Sequence, residues 1–256
     1  MRKVLILSAL TLASAASAGT LRVGASPVPH AEILNFVKPI LAKQGVTLQI
    51  KEFSDYVQPN LALADGSIDV NFFQHVPYLN TFQKDRPLGI VAGAKIHVEP
   101  MGVYSKRVKS LKSLKNGATI AIPNDPSNSG RALKLLERAG LIRLKPSAGI
   151  SATVLDITTN LKRLKFRELE AAQLPRSLQD VDAAVINTNY ALDAGLNPLK
   201  DALLIEDRNS PYANVLAAKP ATLKNADYRK LVKALQSPET KAFILKKYNG
   251  AVVPAF

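Results

Sequence analysis

The feature that most constrains this fold is a regular alternation of two patterns along the chain. Short β-branched runs predict strands at residues 21–25, 47–53, 68–72, 118–122, 183–187 and 214–219. Between them, apolar residues at helical spacing predict helices, for example at 31–43 and 131–139. This alternation is typical of α/β proteins whose largely parallel sheets carry helices on both faces. With 256 residues, two lobes are expected rather than one sheet.

The predicted lobes must be joined by short crossing segments, because the sequence contains no internal repeat and no long linker. The best crossing points are near residues 103–105 and 208–212, where one pattern ends and another begins. These points predict a first lobe of residues 19–104 plus 209–256 and a second lobe of residues 105–208.

Helix boundaries are marked by residues with known capping chemistry. Ser237 and Pro238 are predicted as the N-cap and first-turn proline of the last helix. Asn128 or Ser129 is predicted to open the helix that Gly140 closes.

The N-terminus has the three-part layout of a secretory signal peptide. Arg2 and Lys3 precede an apolar run at 4–13, and small residues end at Ala18. The apolar run has about ten residues, whereas a membrane-spanning helix needs roughly 20. We therefore expect residues 1–18 to be cleaved after about Ala18, leaving a soluble periplasmic or secreted protein.

The sequence contains no cysteine. Disulfides, thiol catalysis and cysteine-ligated metal are thus excluded, so the hydrophobic core must hold the fold. No cysteine follows Ala18 either, and we expect no lipid attached there through a thioether.

The formal net charge of +14 raises the possibility of a nucleic-acid partner. Several of the basic residues recur at helical spacing among Val108, Leu111 and Leu114, which predicts the wet face of an amphipathic helix. They are Lys106, Arg107, Lys109, Lys112 and Lys115. Without interleaved aromatic residues or a nucleic-acid module, a solvated surface is the preferred interpretation. No nucleic-acid partner is predicted.

Sequence signatures of catalysis are sparse, with no GxSxG, HExxH, GxxxxGK[ST] or post-strand GxGxxG pattern. The three histidines stand far apart, so no metal site or cofactor is predicted. Glu168 with Glu170 and Asp180 with Asp182 form the closest carboxylate pairs. Together with His75, they keep open the alternative of an exported hydrolase or lyase acting on a small molecule.

Arg131 is the clearest candidate for binding an anion. The predicted helix places it in the first turn, near free backbone N–H groups and beside Asn128 and Ser129. A guanidinium in that position could grip a carboxylate with two hydrogen bonds. The alternative is that Arg131 faces solvent or pairs with a neighbouring acid.

Aromatic residues crowd around His75 at a strand-to-turn passage, namely Tyr56, Phe72, Phe73 and Tyr78. Such a wall suits an unbranched, polarizable side chain. Since neighbours on a strand face opposite ways, one of the two phenylalanines is expected in the core and the other at the cleft. Asn189 and Asn214, near strand ends, could offer amide oxygens to an ammonium, or could merely cap turns.

Long strings of this sequence resemble the methionine-binding substrate receptors of ABC importers, the family of the NlpA and MetQ lipoproteins. They are VGASPVPHAEIL, SDYVQPNLALADG, NFFQHVPYL, HVEPMGVYS, ELEAAQLPRSLQDVDAAVIN and YANVLAAK. The resemblance covers essentially the whole chain after residue 18. Two departures are Gly19, where many relatives carry an acylated cysteine, and Leu161, where a proline is expected.

The resemblance implies a non-catalytic receptor with a type II-like, two-lobed periplasmic-binding-protein fold. Its sheets would be mixed and mostly parallel, and a monomeric chain would hold methionine, most readily L-methionine, in the cleft between its lobes. A membrane permease and its ATPase would be the partners. Matched motif by motif, Tyr56, Phe73, His75 and Tyr78 resemble the side-chain pocket, Asn128 and Arg131 the carboxylate grip, and Asn189 and Asn214 the amide contacts to the amino acid backbone.

Overall fold

The computed structural model describes residues 19–256; the predicted signal peptide, residues 1–18, lies outside the described residues. The strands are β1 Gly19–Ala25, β2 Val46–Glu52, β3 Val70–His75, β4 Val91–Val98, β5 Gly102–Tyr104, β6 Thr119–Pro123, β7 Arg143–Leu144, β8 Ile157–Thr159, β9 Lys165–Leu169, β10 Ala183–Ile186, β11 Leu204–Ile205, β12 Ala213–Ala218 and β13 Val253–Pro254. The helices are α1 Glu32–Ala42, α2 Gln58–Ala64, α3 Val76–Phe82, α4 Pro126–Arg138, α5 Leu174–Ser177, α6 Thr188–Asp193, α7 Pro198–Asp201, α8 Pro220–Leu223, α9 Ala226–Leu235 and α10 Pro238–Tyr248. Each of the six predicted strands has a counterpart within three residues at either end.

The first lobe is built on a sheet of six strands in the order β13-β4-β12-β3-β1-β2. Strands β3, β1 and β2 are parallel, while β12 runs antiparallel between β3 and β4. Helix α1 covers this sheet because its apolar residues Ile33, Leu34, Val37 and Leu41 fall on one face, and all four are buried. The sheet and helix α1 share one core with residues of α9 and α10.

The second lobe is built on a sheet of five strands in the order β11-β5-β10-β6-β9. Strands β10, β6 and β9 are parallel, and β5 is antiparallel to β10 and β11. Leu133 and Leu136 of α4 pack into a core on one face. Leu174 and Tyr190 belong to a separate core that also contains Ala184 and Ile186 of β10.

Two short segments connect the sheets, residues 99–101 between β4 and β5 and residues 206–212 between β11 and β12. The first crossing differs from the predicted one because Gly102–Tyr104 pairs with β10 and therefore belongs to the second sheet. We accordingly propose lobe limits of 19–98 with 213–256, and of 102–205. The two-lobed α/β architecture agrees with the prediction, and both sheets are mixed.

The basic segment at 106–115 is not the predicted amphipathic helix. It holds a single 3₁₀ turn, Leu111–Ser113, and only Leu114 among the three apolar residues is buried. The lysines are exposed, as expected for a solvated surface, but the backbone does not need a helix to expose them.

Helix α4 begins five residues before its predicted start. Asp125 is the N-cap, its carboxylate accepts a hydrogen bond from the backbone N–H of Asn128, and Pro126 follows at the first helical position. Neither Asn128 nor Ser129 opens this helix, although Gly140 does follow its end in the left-handed conformation. The prediction for the last helix is confirmed, with Ser237 capping α10. Within residues 19–256, no helix is both long enough and apolar enough to cross a bilayer.

Candidate functional site

A cavity lies between the two lobes, where strands of both sheets end. About 330 Å³ of space there, open solvent included, is not filled by protein atoms. The structure brings all eight predicted site residues to this cavity: Tyr56, Phe73, His75, Tyr78, Asn128, Arg131, Asn189 and Asn214. Four further residues line it, namely Gln74, Glu99, Asn187 and Thr188.

Arg131 reaches the cavity from α4 with only 3% of its surface exposed. Its Nε and Nη2 atoms donate to the carboxylate of Glu206, and Nη2 also donates to the backbone carbonyl of Glu99 at 2.8 Å. The ring of Tyr212 lies over the guanidinium, with its centroid 4.2 Å from Cζ. These contacts fix the guanidinium plane, and no acceptor among residues 19–256 contacts Nη1. The Nη1 edge of the guanidinium therefore remains available to bind an anion.

The predicted use of the helix N-terminus is wrong. Arg131 is the sixth residue of α4 and therefore lies in its second turn. Asp125 already accepts hydrogen bonds from the backbone N–H and the side-chain Nδ2 of Asn128. The N–H groups counted as free are therefore partly satisfied by the cap, and the positive charge offered to an anion comes from the side chain of Arg131.

The aromatic residues of the first lobe form one wall of the cavity. The ring centroid of Tyr56 lies 5.9 Å from that of Phe73 and 5.7 Å from that of Tyr78. Phe72 is fully buried in the core, whereas its neighbour Phe73 lines the cavity, as the strand alternation predicts.

His75 is a neutral hydrogen-bonding residue that links the two lobes. Its Nδ1 accepts from the backbone N–H of Tyr78 at 3.1 Å, so its proton lies on Nε2, which is 3.2 Å from Asn128 Oδ1. Burial lowers the pKa of His75 to about 3, and the nearby charge of Arg131 acts in the same direction. His75 therefore orients Asn128 and carries no charge near neutral pH.

Hydroxyl groups close the cavity by bridging the lobes. The Tyr56 hydroxyl donates to Asn189 Oδ1 at 2.6 Å, and the Tyr190 hydroxyl of α6 donates to the backbone carbonyl of Ser54 at 3.0 Å. Burial raises the pKa of Tyr56 well above its ordinary value, so the hydroxyl keeps its proton and can donate.

Asn214 is linked to a buried group of titratable residues behind the cavity. His30 Nε2 lies 3.2 Å from Asn214 Oδ1 and 3.2 Å from Glu99 Oε1. His97 Nε2 lies 2.7 Å from the same Glu99 oxygen. The sequence did not predict this group, because 67 positions separate His30 from His97.

Burial dominates the ionisation of these three residues. It lowers the pKa of His30 to about 4 and that of His97 to about 3. It raises the pKa of Glu99, although the charge of Arg131 opposes this shift. Both imidazoles are therefore neutral near pH 7. A metal-bound imidazole usually donates its other N–H to an acceptor, but Nδ1 of His30 and of His97 is buried without a partner. Hydrogen bonding suits the group better than metal ligation.

Two acidic residues escaped the sequence-based prediction of the site. Glu99 lines the cavity, and Glu206 holds Arg131. Glu99 directly follows a buried strand end, which was the available signal. Glu206 has no comparable signal, since its pairing with Arg131 joins positions 75 residues apart.

The carboxylate pairs behind the enzyme alternative lie away from the cavity. Glu168, Glu170 and Asp180 are exposed, and Asp182 pairs with Arg107 on the outside of the second lobe. None of the four is among the residues that line the cavity. Since His75 is held by two hydrogen bonds, the enzyme alternative gains no support from the site.

A two-lobed α/β protein with such a cavity belongs to the class of binding proteins that enclose a small polar molecule between their lobes. A nutrient-binding protein from Burkholderia cenocepacia, solved with bound methionine, is 51% identical, with a TM-score of 0.90 over 92% of this chain and 100% of that one. A methionine-binding lipoprotein structure from Bacillus subtilis is 42% identical, with a TM-score of 0.90 over 92% of this chain and 98% of that one.

Relatives found by sequence also include a protein named for methionine binding. The D-methionine-binding lipoprotein MetQ of Salmonella typhimurium is 47% identical over 213 residues, which is 82% of this chain and 79% of the relative. A profile of the NlpA lipoprotein family matches residues 21–256. The chain therefore belongs to the NlpA lipoprotein family, as its sequence strings predicted.

Proposed function

We propose that this chain is the extracytoplasmic substrate-binding protein of an ABC importer, and that it binds methionine, with L-methionine as the preferred ligand. The observation that carries the proposal is the cavity itself. A guanidinium with an unused edge, a row of amides and a wall of aromatic rings line one space between the lobes. That combination matches a small zwitterion with an unbranched apolar side chain.

The eight predicted residues receive separate roles in this proposal. Arg131 binds the α-carboxylate through Nη1, and Asn128 supports it from the same helix. Since Asn214 Oδ1 lies against His30 Nε2, its amide Nδ2 is the group left to donate toward the ligand. Asn189 contacts the ligand backbone and also accepts from Tyr56.

Tyr56, Phe73, His75 and Tyr78 enclose the ligand side chain. A thioether beside aromatic rings gains about 0.3 to 1.5 kcal/mol, which favours methionine over a short side chain such as that of alanine. Relatives named for methionine or D-methionine binding support the same ligand class.

The partners in this proposal are a membrane permease and its ATPase, and the place of action is outside the cytoplasm. Relatives named as lipoproteins support an extracytoplasmic site. A monomer that delivers its ligand by opening its lobes against the permease completes the proposal.

Two measurements test the proposed ligand. Mass spectrometry of small molecules released from purified protein by mild denaturation should detect methionine. Calorimetry on the emptied protein should then rank L-methionine above D-methionine, glycyl-methionine and norleucine. A released molecule that is not an amino acid, together with no heat of binding for these four compounds, would contradict the proposal.

A further inference from the structure

Three successive residues of β3, at positions 73–75, line the cavity between the lobes. Side chains of a regular strand alternate between its two faces, so only every second residue is expected at one surface. The side chains of Asn71 and Gln74 show the same departure. These residues stand three positions apart and should face opposite ways, yet Gln74 Nε2 donates to Asn71 Oδ1 at 2.9 Å. Strand β3 is therefore irregular where it meets the cavity.

The irregularity is a β-bulge at Phe73. Val215 and Leu216 are consecutive on β12, but their partners on β3 are Gln74 and Phe72, so the pairing skips Phe73. A bulge bends its strand and re-aims the side chains beside it. Here the bulge brings Gln74 as well as Phe73 to the cavity.

A closed group of three buried amides, which we call the amide triad, lies against this bulge. Its members are Asn60 of α2 and Asn71 and Gln74 of β3, each at most 2% exposed. Asn60 Nδ2 donates to Gln74 Oε1 at 3.0 Å, and Gln74 Nε2 donates back to Asn60 Oδ1 at 2.7 Å. Asn71 Nδ2 donates to the same Asn60 oxygen at 2.8 Å. The triad thus ties α2 to β3 on both sides of Phe73.

The triad occupies the hydrogen-bonding groups of Gln74. Its Nε2 donates to Asn60 and to Asn71, and its Oε1 accepts from Asn60. A buried polar network is rigid when every member is satisfied and becomes costly when one member is lost. Gln74 therefore borders the cavity with its amide already engaged, and its contribution is to fix the course of β3.

We propose that Asn60, through the amide triad, is a positioning residue that fixes the bulge at Phe73 and thereby sets which ligand side chains fit the aromatic wall. This inference rests on the proposed function, in which Phe73 encloses the side chain of methionine. Asn60 lies outside the described lining of the cavity, so its effect on ligand choice is indirect. Without the triad, β3 loses the bonds that favour the bulge, and Phe73 shifts relative to Tyr56 and Tyr78.

The test compares L-methionine with L-alanine, whose side chain is too short to reach the aromatic wall. Calorimetry measures methionine binding, and displacement of bound methionine measures alanine binding. The variant is Asn60→Leu, which keeps the volume but leaves the amides of Asn71 and Gln74 without their common partner. Methionine affinity should fall by about 10-fold or more, as for a ligand that no longer fits its apolar pocket. Alanine affinity should stay nearly unchanged.

Thr240→Val is the matched control. Thr240 is fully buried in α10 of the first lobe, and its Oγ1 donates to the backbone carbonyl of Ala234 at 2.7 Å. Valine has the same shape but removes this bond. Urea unfolding should show that both variants are less stable than wild type, whereas only Asn60→Leu should change the ratio of methionine to alanine affinity. The same change of ratio in Thr240→Val would indicate general loss of stability and overturn the inference.

The inference and the proposed function fail in different ways. Wild type that does not bind methionine overturns both. Wild type that binds methionine, together with an Asn60→Leu variant that keeps the wild-type affinity ratio, overturns the inference alone. Equal losses for the two ligands also overturn it, because the variant would then damage the whole cavity.

A measurement on wild type covers the case in which Asn60→Leu does not fold. A crystal structure with L-methionine should keep Gln74 Nε2 about 3 Å from Asn60 Oδ1 and place Phe73 against the thioether. A Gln74 amide that leaves the triad to bind the ligand, or a Phe73 that pairs regularly with β12, overturns the inference.

Discussion

The two lobes face each other across the cavity with opposite chemistry. The first lobe presents the rings of Tyr56, Phe73 and Tyr78 and contains all three histidines of the sequence. The second lobe presents Arg131 and a row of amide and hydroxyl groups from α4 and α6. Under the proposed function, the ligand's carboxylate is bound mainly by the second lobe and its side chain mainly by the first, so the two kinds of selectivity should be separable by mutation.

The largest expected difference between the lobes is their response to acid. Burial keeps the pKa values of His30, His75 and His97 at about 3 to 4, against an ordinary value of 6.5. Below pH 6.5 these three histidines are therefore largely protonated in the unfolded chain but remain neutral in the folded chain. The free energy of unfolding should fall by about 1.4 kcal/mol per pH unit for each histidine until the folded values are reached. The raised pKa of Glu99 offsets part of this loss.

Urea unfolding at pH 7.5 and pH 5 measures the fall in the free energy of unfolding, and His97→Gln should reduce that fall by the contribution of one histidine. Hydrogen exchange at pH 5 shows which region of the molecule loses stability. Amides of β3 and β4 in the first lobe should lose protection before those of β6 and β10 in the second. Equal loss in both lobes would contradict the assignment of acid sensitivity to the first.

Arg131→Ala should produce the largest loss of ligand affinity. Removing the guanidinium leaves Glu206 and the ligand carboxylate without their common partner, at a cost of about 2 to 5 kcal/mol. Calorimetry with methionine and with alanine should show similar losses for both ligands, because the second lobe reads the charge and not the side chain. Arg138→Ala is the matched control, since Arg138 lies on the exposed face of the same helix. A loss confined to methionine would break the proposed division between the lobes.

Two helix N-caps, one in each lobe, allow a sharper comparison of the lobes, with a smaller expected effect of each substitution. Ser237 caps α10 in the first lobe, far from the cavity, and Asp125 caps α4 while also holding Asn128. Ser237→Ala and Asp125→Ala should each lower the free energy of unfolding by about 0.5 to 2 kcal/mol. Only Asp125→Ala should also weaken methionine binding. Parallel thermal unfolding and calorimetry check both statements, and a binding defect in Ser237→Ala would contradict them.

The smallest expected effect concerns the aromatic wall. Tyr78→Leu keeps an apolar surface but removes a ring and its hydrogen bond to the carbonyl of Tyr56. Methionine affinity should fall by about 0.3 to 1.5 kcal/mol relative to alanine affinity, since a thioether loses its aromatic neighbour. The ratio of the two dissociation constants is the measurement. An unchanged ratio would show that the first lobe does not select the side chain.

Local patterns explain why so much of this fold was predictable. The six predicted strands carry runs of apolar residues, and helices α1 and α4 show a clear apolar face, so these elements could be predicted without distant contacts. The start of α4 was missed although Asp125 and Pro126 are a standard helix opening. The segment at 106–115 was wrong because spacing alone could not distinguish a helix from an irregular basic surface.

The candidate site, like the fold, was predictable from the sequence only in part. Five of the eight predicted residues lie in the quoted family strings, while Asn128, Arg131 and Asn189 lie outside them. The structure places all eight at one cavity. Glu206 and the joining of His30, His97 and Glu99 could not be predicted, because they depend on the relative placement of both lobes and of distant strands. The roles of these residues in binding remain proposals that the variants above test.

Glu99 and Glu206, which both hold Arg131, lie at the start of the two segments that connect the sheets. When one lobe swings relative to the other, points near the axis travel little and points far from it travel far. An axis through these connections would leave the guanidinium and its acidic neighbours almost stationary while Tyr56 moves away from Asn189. A ligand would then contact Arg131 and its acidic neighbours, already in place, before the aromatic residues of the first lobe close over it.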